Sequence, residues 1–149
     1  MRVTFPIAAL TVLALQTASA QAPAITWGPA PAVFPAGAKM AVLQGDPGQP
    51  ALFTVRLEMP DGYRIPSHFH PSDEYITVIQ GTFLVGMGDK LDAAQTNPLA
   101  QGAFATAHAG QHHFAIAKGR TIVQVTAMGP FALTYVNPSE DPQHVAKSR

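Results

Sequence analysis

Within Leu52–Met59 apolar and polar residues alternate one for one from Phe53 on. Phe53, Val55, Leu57 and Met59 fall on one side, and Thr54, Arg56 and Glu58 on the other. A period of two predicts a strand with one buried face. A short apolar run, Lys39–Gln44, precedes it and ends at Gly45-Asp46-Pro47-Gly48, and Pro60-Asp61-Gly62 reads as the turn after it. Glu74–Gln80 carries apolar residues on both faces, which predicts a strand covered on both sides. Gly81-Thr82 reads as a turn into Phe83–Met87, and the stretch from Gly88 to Gln101 is polar with no predicted element. Ala103–Ala107, His112–Ala117, Thr121–Met128 and Phe131–Val136 continue the series, with Lys118-Gly119 and Gly129-Pro130 as turns. No segment keeps a helical period. About eight short strands at this spacing predict an all-β sandwich or small barrel.

The two ends differ from this pattern. Arg2 stands before an apolar run, Phe5 to Leu15, that closes on Ala18-Ser19-Ala20. This predicts a secretory signal peptide over residues 1–20, cut before Gln21, and hence a periplasmic or secreted protein. The run is short of the ~20 residues that span a bilayer, and no later segment is long enough, so no membrane span is expected after cleavage. Residues 21–38 are rich in Ala and Pro and predict an extended arm with Trp27 and Phe34 as packing anchors. Residues 39–136 form the expected domain, and residues 137–149 a polar tail expected to fray.

Composition narrows the reading. Hydrophobic residues make up 47% of the 149, enough for a packed core and too many for a disordered chain. Nine Lys+Arg balance nine Asp+Glu, so no basic surface recommends nucleic acid or anionic lipid as a partner. There is no cysteine. An exported chain without disulfides relies on its core, a metal or a second subunit for stability.

The histidines supply candidate chemistry. His68 and His70 are two apart, which on a strand places both imidazoles on one face. Pro71-Ser72-Asp73 can bend the chain and bring Glu74 back to the same place, and His113 lies on a later strand. Three imidazoles and a carboxylate make a borderline-to-hard ligand set suited to one divalent ion of Fe, Mn, Ni, Cu or Zn. His112 neighbours His113, so strand alternation points it to the opposite face.

These residues carry a resemblance. The run Gly62, His68, His70, Glu74, Gly81 meets every interval of the first cupin motif, G-x5-H-x-H-x3-E-x6-G. The second motif, G-x5-P-x-G-x2-H-x3-N, is met at Gly102, Gly110 and His113, with His108 in place of proline and Ala117 in place of asparagine. The sequence therefore resembles the cupin superfamily over roughly residues 39–136. The resemblance implies a double-stranded β-helix, or jelly-roll barrel. It also implies that His68, His70, Glu74 and His113 bind one metal ion inside it. His108 reads as a surface group, and Ala117 puts in doubt any role of the family's asparagine.

Alternation predicts the lining of the barrel: Ile76 and Val78 with Glu74, Ala115 with His113, then Phe53, Val55, Leu57 and Met59, with Val123 or Tyr135 joining them. No lysine or second carboxylate is expected inside, and Arg64 is the candidate to meet an anionic substrate at the mouth. The leading expectation is a metal-dependent enzyme of dioxygenase, isomerase or lyase type acting on a small organic molecule. Glu74 would be a ligand first, and a catalytic base only off the metal. The alternatives are a non-catalytic module that binds a small ligand or metal, and a barrel merely stapled by its ion. Tyr75, Thr77 and Ile79 point away from the ligands and need cover, from the Trp27/Phe34 arm or from a second copy, so a homodimer is expected.

Overall fold

The computed structural model describes residues 24–147, and the predicted signal peptide lies outside the described residues. Nine strands form one curled antiparallel sheet among them: β1 (Gly28–Pro29), β2 (Lys39–Gln44), β3 (Leu52–Met59), β4 (Arg64–Phe69), β5 (Glu74–Met87), β6 (Thr96–Ala100), β7 (Phe104–Ala107), β8 (His113–Met128) and β9 (Thr134–Tyr135). β2 and β3 run over the predicted residues, and Phe53, Val55, Leu57 and Met59 are buried as their alternation requires.

The sheet closes because β5 and β8 each serve two layers. The first half of β5 pairs with the second half of β8, from Glu74↔Ala127 to Val78↔Val123, and β3 flanks that half of β8 on its other side. The second half of β5 pairs with the first half of β8, from Thr82↔Lys118 to Met87↔His113, and β4 flanks it there. Two facing layers thus share two bent strands, and the apolar residues of both fill the space between them.

The bend corrects two of the predicted turns. Gly81-Thr82 and Lys118-Gly119 do not reverse the chain; they are the irregular centres of β5 and β8, where the register shifts around Gln80. Gly81 takes φ 78°, and a Cβ there would stand 2.5 Å from the Arg120 carbonyl oxygen. Only glycine combines that dihedral with that approach. The buried Thr121 hydroxyl, 3.1 Å from the Thr82 carbonyl oxygen, ties the two bends together.

Two further differences have local causes. The polar stretch before Gln101 contains a 3₁₀ turn, Ala93–Gln95, and the edge strand β6, which pairs only with β5. β6 holds Pro98 and little apolar surface, a composition tolerated only at an edge. The tail contains a second 3₁₀ turn, Pro138–Glu140, and a short helix, α1 (Pro142–Lys147). Asn137 and Asp141 each accept a backbone N–H two residues on, which holds these turns in a segment expected to fray. No helix among the described residues is long and apolar enough to cross a membrane.

Residues 24–38 fold back on their own domain. β1 pairs with β2, and Phe34 is buried in the main core. The Tyr135 hydroxyl donates to the Val33 carbonyl at 2.7 Å, and the Tyr63 hydroxyl donates to that of Pro35. Burial pushes both phenols well above their ordinary pKa, so they remain donors. Trp27 is only half-buried.

Candidate metal centre

The cavity between the two layers has a volume of about 320 Å³ and holds four polar side chains. His68 stands on β4, His70 one residue past its end, Glu74 at the start of β5 and His113 at the start of β8. They are 3%, 4%, 7% and 4% exposed, respectively. His68 and His113 are direct cross-strand partners.

Local irregularities aim these residues. Ile65 and His68 both line the cavity although their spacing is odd, because the register shifts between them at Pro66-Ser67. Proline cannot donate to a ladder, and an extra residue at a bulge reverses the parity of the residues beyond it. The Pro71–Asp73 bend is fastened by the Ser72 hydroxyl donating to the Met128 carbonyl at 2.7 Å and by the Ala109 N–H donating to Asp73 Oδ1 at 2.8 Å. That second bond holds the Asp73 carboxyl below its usual pKa. The bend returns Glu74 to the histidines.

Each imidazole is oriented from behind. Nδ1 of His68 lies 2.7 Å from the Pro66 carbonyl oxygen, Nδ1 of His70 2.8 Å from that of Ala132, and Nδ1 of His113 2.9 Å from that of Gln111. A carbonyl oxygen only accepts, so in each ring Nδ1 carries the proton and Nε2 the lone pair. One ligand atom from each of the three histidines lies within 4.8 Å of the others. Glu74 Oε2 is 3.2 Å from His70 Nε2. That pair lacks hydrogen-bond geometry, and His70 Nε2 is buried without a partner. Three converging lone pairs, one of them orphaned, beside a carboxylate suit a divalent ion, which would satisfy what the protein leaves open.

Electrostatics point the same way. Burial pushes all three histidines below the ordinary imidazole pKa, His68 furthest, where burial is the largest cause and repulsion from His113 and His70 adds to it. They are held neutral, the state that can ligate. Burial pushes Glu74 up to about 7, against a partial opposing pull from His113.

The other sequence candidates lie elsewhere. His112 points away, its Nδ1 2.7 Å from Asp89 Oδ1 and its ring stacked on Phe69 at 5.2 Å. His108 is exposed beside Asp73. Arg64 is exposed opposite Ile116 and is not part of the cavity lining, which removes it as a contact for a substrate there. Of the predicted lining residues, Phe53, Val55, Leu57, Ile76, Ala115 and Val123 reach the cavity, while Met59, Val78 and Tyr135 are buried in the core beyond it. Sequence reasoning missed Phe83, Val85, Phe131 and Leu133, and the wall made by Pro29, Pro31 and Phe34. The one available signal was Phe34, an aromatic anchor in an otherwise featureless arm.

No protein-family model matches the chain, and no curated protein does. Solved structures do match. The polyketide cyclase RemF from Streptomyces resistomycificus is 21% identical with a TM-score of 0.58, over 74% of this chain and 78% of that one. An RmlC-like cupin from Shewanella frigidimarina is 17% identical with a TM-score of 0.55, over 70% and 83%. An uncharacterised protein with a double-stranded β-helix domain from Klebsiella pneumoniae is 26% identical with a TM-score of 0.50, over 63% and 81%. The architecture is the cupin double-stranded β-helix, and its interior holds a three-histidine group able to take a metal ion.

Proposed function

We propose that this protein is an exported, mononuclear metal-dependent enzyme acting on a small organic molecule. His68, His70 and His113 hold one divalent ion, with Glu74 as the fourth ligand. The observation that carries the reading is the set of three buried imidazoles, each fixed through Nδ1 to a backbone carbonyl and each turning Nε2 to one point. The ion, when bound, supplies Lewis-acid or redox chemistry. The chain supplies the rest: it orients the histidine nitrogens, excludes bulk water with an apolar cavity and holds the Glu74 carboxylate 3.2 Å from His70 Nε2, where it would serve as the fourth ligand. An enzyme among the structural neighbours, the polyketide cyclase, supports catalysis on this scaffold.

Export rests on the leader pattern over residues 1–20. Pairing of two copies belongs to the same proposal, through the face that bears Tyr75 and Phe104. These rings stack at 6.4 Å and are 45% and 62% exposed.

A non-catalytic ligand carrier is the second reading. It is favoured by the cavity's lack of any titratable lining residue beyond the four site residues. The test is elemental analysis of the purified chain, followed by screening of the metal-loaded protein for turnover of small aromatic and enolic compounds. One equivalent of a transition metal with turnover supports the enzyme. Binding without turnover selects the carrier, and no stoichiometric metal overturns the metal-dependent enzyme.

A further inference from the structure

The walls of the cavity are more specific than an apolar lining needs to be. Phe131 stacks on Phe34 with ring centroids 5.9 Å apart and planes 11° apart. It meets Phe53 edge-on at 6.1 Å and leans on the His70 ring at 5.5 Å. A continuous aromatic wall therefore runs from the arm to the candidate metal centre. It is held in place, since the Phe131 N–H donates to the Pro47 carbonyl at 2.7 Å and the Tyr135 hydroxyl fixes the arm at Val33.

The lining also lacks something. Apart from the three histidines and Glu74, no lining residue has a hydroxyl, amide or charged side chain. A ligand's own charged group would find no partner there except the ion, and burying it elsewhere is unfavourable. Its polar atoms must therefore gather at one end, facing the metal. The volume sets the size. An apolar cavity of ~150 Å³ holds one benzene, and this one has about 320 Å³.

From this wall, lining and volume we infer that the substrate is a flat aromatic molecule of about two rings whose polar atoms lie along one edge and which carries no charge elsewhere, and that Phe34 and Phe131 select for its planarity. The inference rests on the metal-dependent reading above. Offset and edge-on aromatic contacts are worth more than the area they bury, so a planar ligand gains against a puckered one of the same carbon count.

The test uses the purified full chain loaded with Zn(II), which binds without redox turnover. Metal content is measured first. Affinity is then measured calorimetrically for three probes: 2,3-dihydroxynaphthalene, 5,6,7,8-tetrahydronaphthalene-2,3-diol, which keeps the same diol edge but puckers the far ring, and 6,7-dihydroxy-2-naphthoate, which carries its charge at the far edge. The fully aromatic diol is expected to bind about tenfold more tightly than its tetrahydro counterpart, and the carboxylate more weakly than the diol. Phe34→Leu and Phe131→Leu keep an apolar wall but remove the ring. Each should narrow the aromatic-to-tetrahydro ratio about three- to tenfold while leaving the zinc stoichiometry intact. The wild-type ratio needs no variant, so a folding defect in either one leaves the inference exposed to test. Equal affinity for the aromatic and tetrahydro diols overturns it while the metal site stands, and absence of bound zinc overturns the metal-dependent reading itself.

Discussion

Replacing Glu74 by Gln should have opposite effects on the metal-free and metal-loaded protein. Without metal, burial raises the carboxyl from 4.5 to about 7. The folded chain therefore holds this proton more tightly than the unfolded chain does. Between those two values the unfolded state releases a proton the folded state keeps, so stability falls as pH rises through that window. A tenfold difference in proton affinity is worth about 1.4 kcal/mol, which makes the full penalty above pH 7 about 3 kcal/mol. Gln has nearly the same shape and no charge, so the penalty disappears. At pH 9 the metal-free variant should be the more stable by about 3 kcal/mol, or roughly 10 °C in Tm for a domain of this size. If Glu74 is the fourth ligand, a bound ion would balance its carboxylate and Glu74→Gln would remove a ligand instead. The variant should then bind metal more weakly and melt at a lower temperature than the loaded wild type. Thermal unfolding of both proteins from pH 5 to pH 9, with and without chelator, measures all four arms. Parallel curves for metal-free wild type and variant across that range would refute the claim that a buried carboxylate at this site opposes folding.

His113→Ala should abolish most metal binding, whereas His112→Ala, whose ring is turned toward Asp89, should leave metal content unchanged; elemental analysis compares them. Gly81→Ala should cost about 3 kcal/mol or more in chemical denaturation, because its Cβ would press on backbone at 2.5 Å. Gly62→Ala, with φ 73° but nothing within 4 Å, should cost only the ~1 kcal/mol of the dihedral. Tyr135→Phe removes the bond to the Val33 carbonyl and should cost about 1 kcal/mol, with faster proteolysis confined to residues 24–38. The three ligand histidines are depressed below 6.5, so their protonation opposes folding: stability should be lost as pH falls through 6.5 and below, with ion release read by a metal indicator in the same experiment.

Local pattern made most strands readable. β3 alternates from Phe53 to Met59, and that alternation alone placed Phe53, Val55 and Leu57 inside. That His68, His70 and Glu74 come together was readable as spacing, because the two histidines bracket a single residue and a short bend returns Glu74 to them. Departures from regular geometry could not be read. Gly81 and Gly119 carry the composition of turns, yet the chain runs through them as bends, a distinction set by pairing between β5 and β8 rather than by either segment. The bulge at Pro66-Ser67 reverses the parity of β4, which no count of residues from Ile65 would reveal. β6 hides for a compositional reason, since an edge strand with Pro98 has little apolar surface to show. The aromatic wall is the extreme case: Phe34 and Phe131 meet only because the arm folds back onto the domain.

The arrangement also argues against a metal that only staples the fold. A staple needs ligands and a closed coordination sphere; it does not need an apolar space beside the ion. Here the four buried polar residues share one cavity with apolar side chains of the core, where neutral imidazoles and a carboxylate stabilise the barrel less than Leu or Ile would. Each histidine is further restrained by a backbone carbonyl, which costs side-chain freedom and adds nothing to packing. Those restraints are useful if the lone pairs must meet a target at a fixed position. The cavity beside them extends to a wall of stacked rings supplied partly by the arm, outside the barrel proper. Filling that space with larger side chains would raise the packing density of the core, which is the direction stability alone would favour. A polar centre held rigid, next to apolar space left open, is the geometry of a site that takes a second molecule.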